Sequence, residues 1–321
     1  MNGRVDAAIH YACRMRGRPE PFHPDLRMAR WIPNVGVSRT TLKLFRTNPR
    51  TAESTPEVEI STVPPADGHQ GFRVYMPRAA STPVPGLLWI HGGGLVIGTP
   101  QQDDALSIRL ARTLGIVVVA PAYRLAPEHA APAALDDLTA TWRAVLSSPE
   151  RYGIDPVRMA VGGGSAGGGL AAALAQRLHD AGGSEPVFQL LVYPMLDDRT
   201  VLRTDIDTRH HRFWPPSSNR FGWESYTGVP AGSAEVPPYS VPARRDDLSG
   251  LPPAWIGVGT LDLFHDEDVA YAERLRAAGV ECELVEVPGV FHGFDAIFRR
   301  AGVTDEFYTT IAEVLRRGLR V

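Results

Sequence analysis

The sequence predicts an α/β fold with a mostly parallel central sheet flanked by helices. Three observations carry that prediction. Eight short β-rich runs recur from residue 57 onward, helical stripes fall between them, and the middle runs are apolar without alternation. Strand and helix patterns that alternate along a chain build a sheet covered by helices. Continuous apolar runs suit strands buried on both faces.

The runs are VEISTV (58–63), GFRVYMP (71–77), GLLWIH (86–91), GIVVVAPAY (115–123), RMAVGG (158–163), VFQLLVYP (187–194), AWIGVG (254–259) and CELVEVP (282–288). Leu135, Leu138, Trp142 and Val145 repeat at helical spacing after Pro132, a residue suited to a first helical turn. Leu170, Leu174 and Leu178 form a second stripe. A third helix is expected after Asp266 as N-cap, carrying Val269, Ala272 and Leu275 and stopping at Gly279. Phe307, Ile311 and Leu315 mark the last. Residues 1–45 and about 199–245 fall outside the alternation, and the second contains RHHRFWPPSSNRFGWESYTG (209–228). Both are candidates for a lid or cap. The plainer reading of the second is a surface excursion whose aromatics fill their own small core.

At 321 residues, 44% apolar, the chain can bury a large core, and its charged fraction of 21% is ordinary for a globular enzyme. A net charge of −3 gives no general nucleic-acid footprint. No stretch approaches the roughly 20 apolar residues of a membrane span, and the first residues show no apolar signal region, so a cytoplasmic location is expected. Cys13 and Cys282 sit in no metal or disulfide pattern and are expected as packed thiols.

Residues 161–173 read VGGGSAGGGLAAA. Gly162, Gly164 and Gly167 satisfy GxGxxG, the dinucleotide fingerprint. That reading needs an acidic residue at the end of the next strand, but Asp180 and Glu185 lie before it. The same stretch satisfies GxSxG as Gly163-Gly164-Ser165-Ala166-Gly167, a strand–turn–helix elbow that exposes a serine. By itself the pattern fits a glycine loop with an incidental serine equally well. LLWIHGGGLVIG (87–98) tips the balance, because His91-Gly92-Gly93-Gly94 follows a strand with no side chains to block its N–H groups. Acyl transfer needs such donors for the oxyanion of its tetrahedral intermediate. The expected donors are the amides of Gly93, Gly94 and Ala166.

A serine nucleophile needs a base and an acid that fixes the base's tautomer, in the chain order Ser, Asp or Glu, His. His292, in VPGVFHGFD, lies just past a strand. His179 sits on the helix that the serine opens, and His210 and His211 lie in the candidate cap, where a surface role or a metal site with Asp205 or Asp207 are the alternatives. Asp262 follows another strand at the edge where sites in parallel sheets form. Asp266 is assigned to a helix cap, Glu267 to a first-turn charge and His265 to a loop.

These motifs together resemble the bacterial hormone-sensitive-lipase-like esterases of the α/β-hydrolase fold. The resemblance covers about residues 57–320 and includes HGGG (91–94), YRLAPEH (123–129), GGGSAGG (162–168), YPMLD (193–197), Asp262 and FHGF (291–294). It implies Ser165, Asp262 and His292 as triad, Gly93, Gly94 and Ala166 as oxyanion hole, a largely helical cap, and a homodimer. Two departures stand out: Gly164 replaces the usual acidic residue before the serine, and Asp262-Leu263-Phe264 replaces DPL.

The expected reaction is hydrolysis of short- to medium-chain carboxylic esters, a small-molecule substrate, with no cofactor or metal required. Phe213, Trp214, Phe221 and Trp223 are expected to line the entrance. An amidase or arylamide deacetylase would use the same triad. A non-catalytic receptor, as in the plant gibberellin receptors that resemble this family, would lack the histidine that His292 supplies.

Overall fold

Strands β1 (Val58–Val63), β2 (Phe72–Pro77), β3 (Val84–Ile90), β4 (Val117–Pro121), β5 (Ile154–Gly164), β6 (Gln189–Val192), β7 (Ala254–Gly259) and β8 (Cys282–Val287) form one sheet in the computed structural model. It describes residues 21–32, 36–46, 51–81 and 83–321. The order is β1-β2-β4-β3-β5-β6-β7-β8. β2 runs antiparallel to both β1 and β4, and every later pairing is parallel. All eight sequence runs therefore appear as strands, and the mostly parallel sheet follows.

The longer helices are α1 (Asp104–Leu114), α2 (Ala133–Ser147), α3 (Ala166–Ala181), α4 (Pro216–Thr227), α5 (His265–Ala277) and α6 (Gly302–Leu319). Successive strand residues point to opposite faces, and the core divides accordingly. Leu88, Ile90, Val119, Val161 and Leu191 join the stripes of α2, α3 and α5 on one face. Leu87, Trp89, Val118, Leu190 and Val192 join α1 and α6 on the other. Each fully buried leucine in these stripes gains about 1.5–3 kcal/mol from leaving water, before the entropy of ordering it is subtracted.

Three local details differ from expectation. α5 begins at His265, with Phe264 in the cap position, so Asp266 is an exposed first-turn residue bonded to His265 and Arg203. The reason is a turn one step earlier, where His265 N–H donates to the Asp262 carbonyl at 3.3 Å. His265 consequently lies in the helix rather than a loop. Pro132 precedes α2 at its cap rather than entering the first turn. Cys282 is buried on β8, as expected of a packed thiol, and Cys13 lies outside the described residues.

Parallel strands point their carboxyl ends the same way, so the loops after β3, β5, β7 and β8 gather at one edge. Residues 199–245 combine short 3₁₀ turns with α4. Of the amino-terminal segment, residues 1–20 and 33–35 lie outside the described residues, while Val37 N–H donates to Ser218 Oγ in α4 at 2.7 Å. Among the described residues no helix is long and apolar enough to cross a membrane.

Candidate active site

Ser165 occupies the tip of the turn between β5 and α3 with φ 57° and ψ −123°. A residue with a side chain pays strain of about 1–3 kcal/mol in such a conformation, so the surroundings must impose it. They do so through the backbone: Ser165 N–H donates to the Val192 carbonyl at 2.9 Å, and the Ser165 carbonyl accepts from Met195 at 3.0 Å and Gly169 at 3.1 Å. The turn is also too tight for neighbouring side chains. A Cβ on Gly167 would stand 2.0 Å from the Ile90 carbonyl oxygen. Gly162, Gly163 and Gly164 are ladder residues of β5 rather than an open phosphate loop, which removes the dinucleotide reading.

His292 comes from the loop after β8 and Asp262 from the turn after β7. His292 Nε2 lies 2.9 Å from Ser165 Oγ, and its Nδ1 lies 2.9 Å from Asp262 Oδ2. Asp262 Oδ1 also accepts from the Phe264 amide at 2.9 Å, which fixes the carboxylate plane. All three side chains are buried. The imidazole is clamped edge-on between Tyr193 and Phe264, with ring centroids at 4.8 and 4.9 Å. The structure thus brings the three sequence candidates into one chain of hydrogen bonds.

Gly93 and Gly94 follow β3 in left-handed conformations, φ 127° and 57°. Their amides donate to no acceptor among the described residues. The Ala166 amide opens α3, where the first N–H groups have no intrahelical partner. YRLAPEH explains how this loop holds its shape. The Tyr123 hydroxyl donates to the His91 carbonyl at 2.8 Å, its ring stacks on the His91 ring at 4.2 Å, and Ala126 N–H donates to the Leu95 carbonyl at 3.0 Å. Arg124 grips buried Asp137 through both carboxylate oxygens, anchoring the motif to α2. Burial pushes His91 down to about 4, so it stays neutral at the loop.

A cavity of about 620 Å³ contains Ser165, His292 and Gly92–Gly94. Phe213 and Trp214 line it, and Trp214 lies directly over Gly94, where a Cβ would meet its ring at 2.1 Å. Phe221 and Trp223 do not line it. Both lie on α4, Trp223 being wholly buried and Phe221 packed on the same core, so their rings hold this segment to the body. His211 is likewise buried rather than on the surface, and burial lowers its basicity. Asp205 and Asp207 are engaged by Arg203 and Arg209.

Residues 87–296 match the α/β-hydrolase fold family. The chain belongs to that family. Within it, the likeness to hormone-sensitive-lipase-like esterases holds. A carboxylesterase of Mycobacterium tuberculosis is 36% identical over 279 residues, 81% of this chain and 82% of that protein. An ethyl acetate hydrolase of Pseudomonas putida is 35% identical, over 79% of this chain and 80% of its own. Among solved structures, a bacterial heroin esterase superposes with TM-score 0.80 at 34% identity, covering 94% of this chain and 99% of its own.

The hydrolase also contains site-supporting residues that sequence reasoning missed. Glu267 stands in the first turn of α5, as read from the sequence, but it is a buried bridge to the loop after β6. Its Oε1 accepts from the amides of Leu196 at 2.7 Å and Asp197 at 3.1 Å, and Oε2 meets the Thr200 hydroxyl. Burial pushes it up to about 8. No local signal marked Glu267, because these partners lie far away in the chain. Asp103, also pushed up to about 7 by burial, accepts from Trp89 Nε1, and Asp295 accepts from the hydroxyls of Tyr193 and Tyr308.

Proposed function

We propose that this hydrolase cleaves carboxylic esters of short to medium acyl chain through a covalent intermediate on Ser165. The observation that carries the reading is the unbroken chain Asp262–His292–Ser165, with spacings of 2.9 and 2.9 Å, opening into a cavity beside unpartnered amides. The relatives' names, carboxylesterase and ethyl acetate hydrolase, support it.

Ser165 Oγ attacks the ester carbonyl carbon while His292 Nε2 takes its proton. Asp262 holds Nδ1–H and stabilises the imidazolium. The oxyanion receives hydrogen bonds from the amides of Gly93, Gly94 and Ala166, where losing one donor costs about 10²–10³ in rate. As the C–O bond breaks, His292 returns the proton to the departing alcohol. Water, deprotonated by His292, then attacks the acyl-enzyme, and Ser165 leaves with that proton. Each step draws on groups of the chain and on water.

The two segments outside the alternation, residues 1–45 and 199–245, act as a cap over this site within a catalytic unit spanning 46–321. Val37, Phe213 and Trp214 on the cavity wall support that division. A cytoplasmic setting is supported by two cysteines in no disulfide pattern, and a homodimer by the family resemblance.

Hydrolysis of 4-nitrophenyl esters from acetate to palmitate, wild type beside Ser165→Ala, tests the reading. Turnover that peaks at short chains and falls by at least about 10³ in the variant is expected. A folded wild type that cleaves no ester, or a variant with full turnover, would overturn it.

A further inference from the structure

Gly164 differs from the glycines around it. At Gly163 and Gly167 a Cβ would collide with backbone at 2.5 and 2.0 Å. Gly164 pairs with Val192 in the ladder, has no left-handed backbone, and its Cβ would meet only Tyr193 Cε2 at 3.7 Å and Trp89 Cζ2 at 3.9 Å. Neither conformation nor crowding demands glycine there. What glycine supplies is space, as it does where a ligand must approach a strand closely.

That space has a definite shape. Trp89 is the next-to-last residue of β3 and Tyr193 follows β6, the strands on either side of β5, so the two rings flank Gly164 from opposite sides. One atom placed at the Cβ position touches both, so the gap is a single atomic layer thick. A flat ring enters such a gap, and a branched saturated group does not. Its walls are held in place: Trp89 Nε1 donates to Asp103 at 2.9 Å and the Tyr193 hydroxyl to Asp295 at 2.7 Å. Gly164, Trp89 and Tyr193 all line the cavity that contains Ser165. The Tyr193 ring also borders His292, the group that protonates the leaving oxygen in the mechanism above. The slot therefore borders the base that serves the leaving alcohol.

We propose that Gly164 is a specificity-determining residue that keeps open a slot between Trp89 and Tyr193 for the flat alcohol portion of an aryl ester. This rests on the reading of Ser165 as an ester hydrolase. The usual acidic residue at this position would fill the slot, so its absence widens the range of alcohols rather than altering the triad.

The experiment compares kcat/KM for 2-naphthyl acetate and ethyl acetate in wild type, Gly164→Ala and Gly164→Val. Both esters carry the same acyl group, so their ratio isolates the alcohol. The ratio is expected to fall about tenfold or more in Gly164→Val, a loss typical of a blocked apolar pocket, and less in Gly164→Ala, with the change in KM for the naphthyl ester. The single methyl of alanine makes only ordinary contacts, so that variant carries the test if valine prevents folding. A ratio unchanged in both folded variants overturns the slot while leaving ester hydrolysis intact. A loss that follows acyl length in the 4-nitrophenyl series also overturns it. A wild type that cleaves neither acetate overturns the esterase reading and the slot with it.

Discussion

The nucleophile elbow and segment 199–245 meet at the same cavity, yet they are built on opposite principles. The elbow is shaped by missing atoms: Gly163 and Gly167 let strand, turn and helix approach where any Cβ would collide with backbone. The segment is shaped by large side chains. Trp214 covers Gly94, Trp223 and Tyr226 are buried, and Arg244 locks onto buried Asp198 through both carboxylate oxygens. The lesson is a division of labour. Backbone packed to contact fixes the reacting atoms within narrow limits, and side chains filling space above them decide what enters. Substitutions in the first region should act on kcat, except at Gly164, which no backbone crowds, and those in the second on KM and chain-length preference.

The hardest test of that division is Asp262→Asn. It keeps the shape but leaves the imidazole with a partner that can favour the wrong tautomer. A fall of about 10⁴ in kcat, with KM changed little, is expected on a 4-nitrophenyl ester. Near-wild-type turnover would remove Asp262 from the relay.

Trp214→Ala sharpens the other side. Removing this ring opens the wall above Gly94, and a lost tryptophan contact in a binding pocket is worth about 2 kcal/mol or more. About a thirtyfold or greater fall in kcat/KM on the acetate is expected, carried by KM, together with an optimum moved to longer acyl chains. A fall carried by kcat alone would mean that Trp214 holds the oxyanion loop in place, and the two regions would no longer separate.

The same contrast explains what was legible in the sequence. Every strand of the sheet could be read, the middle ones because continuous apolar runs report directly on burial from both faces. Ser165, His292 and Asp262 could be located because each follows a strand whose carboxyl end reaches the same edge. Phe221 and Trp223 could not be assigned, since composition does not say which way a ring on α4 points. The start of α5 was misplaced by two residues for a related reason: the Asp262 turn, set by tertiary contacts with His292, overrides the local preference for Asp266 as cap. Glu267 was invisible because its partners, Leu196, Asp197 and Thr200, lie about 70 residues away in the chain.

Glu267 joins the two regions, since it stands one turn beyond Asp262 and holds the start of the loop that leads into segment 199–245. Its burial favours the neutral acid, raising it to about 8 from an ordinary 4.5. A group whose folded pKa is raised binds more protons folded than unfolded. Stability from it is complete below about 4.5 and disappears as pH rises through about 8. Between pH 7 and pH 9 it should therefore account for a loss of about 1 kcal/mol in unfolding free energy. Glu267→Gln keeps the acceptor for the Leu196 and Asp197 amides without the titration. Urea unfolding of both proteins at pH 7 and 9 should show the wild type losing more stability than the variant by that amount. Equal losses would place the proton elsewhere. A variant strongly destabilised already at pH 7 would show that Glu267 is held there as a carboxylate, bound by its two amide donors and the Thr200 hydroxyl, and that charge links the catalytic turn to the segment above it.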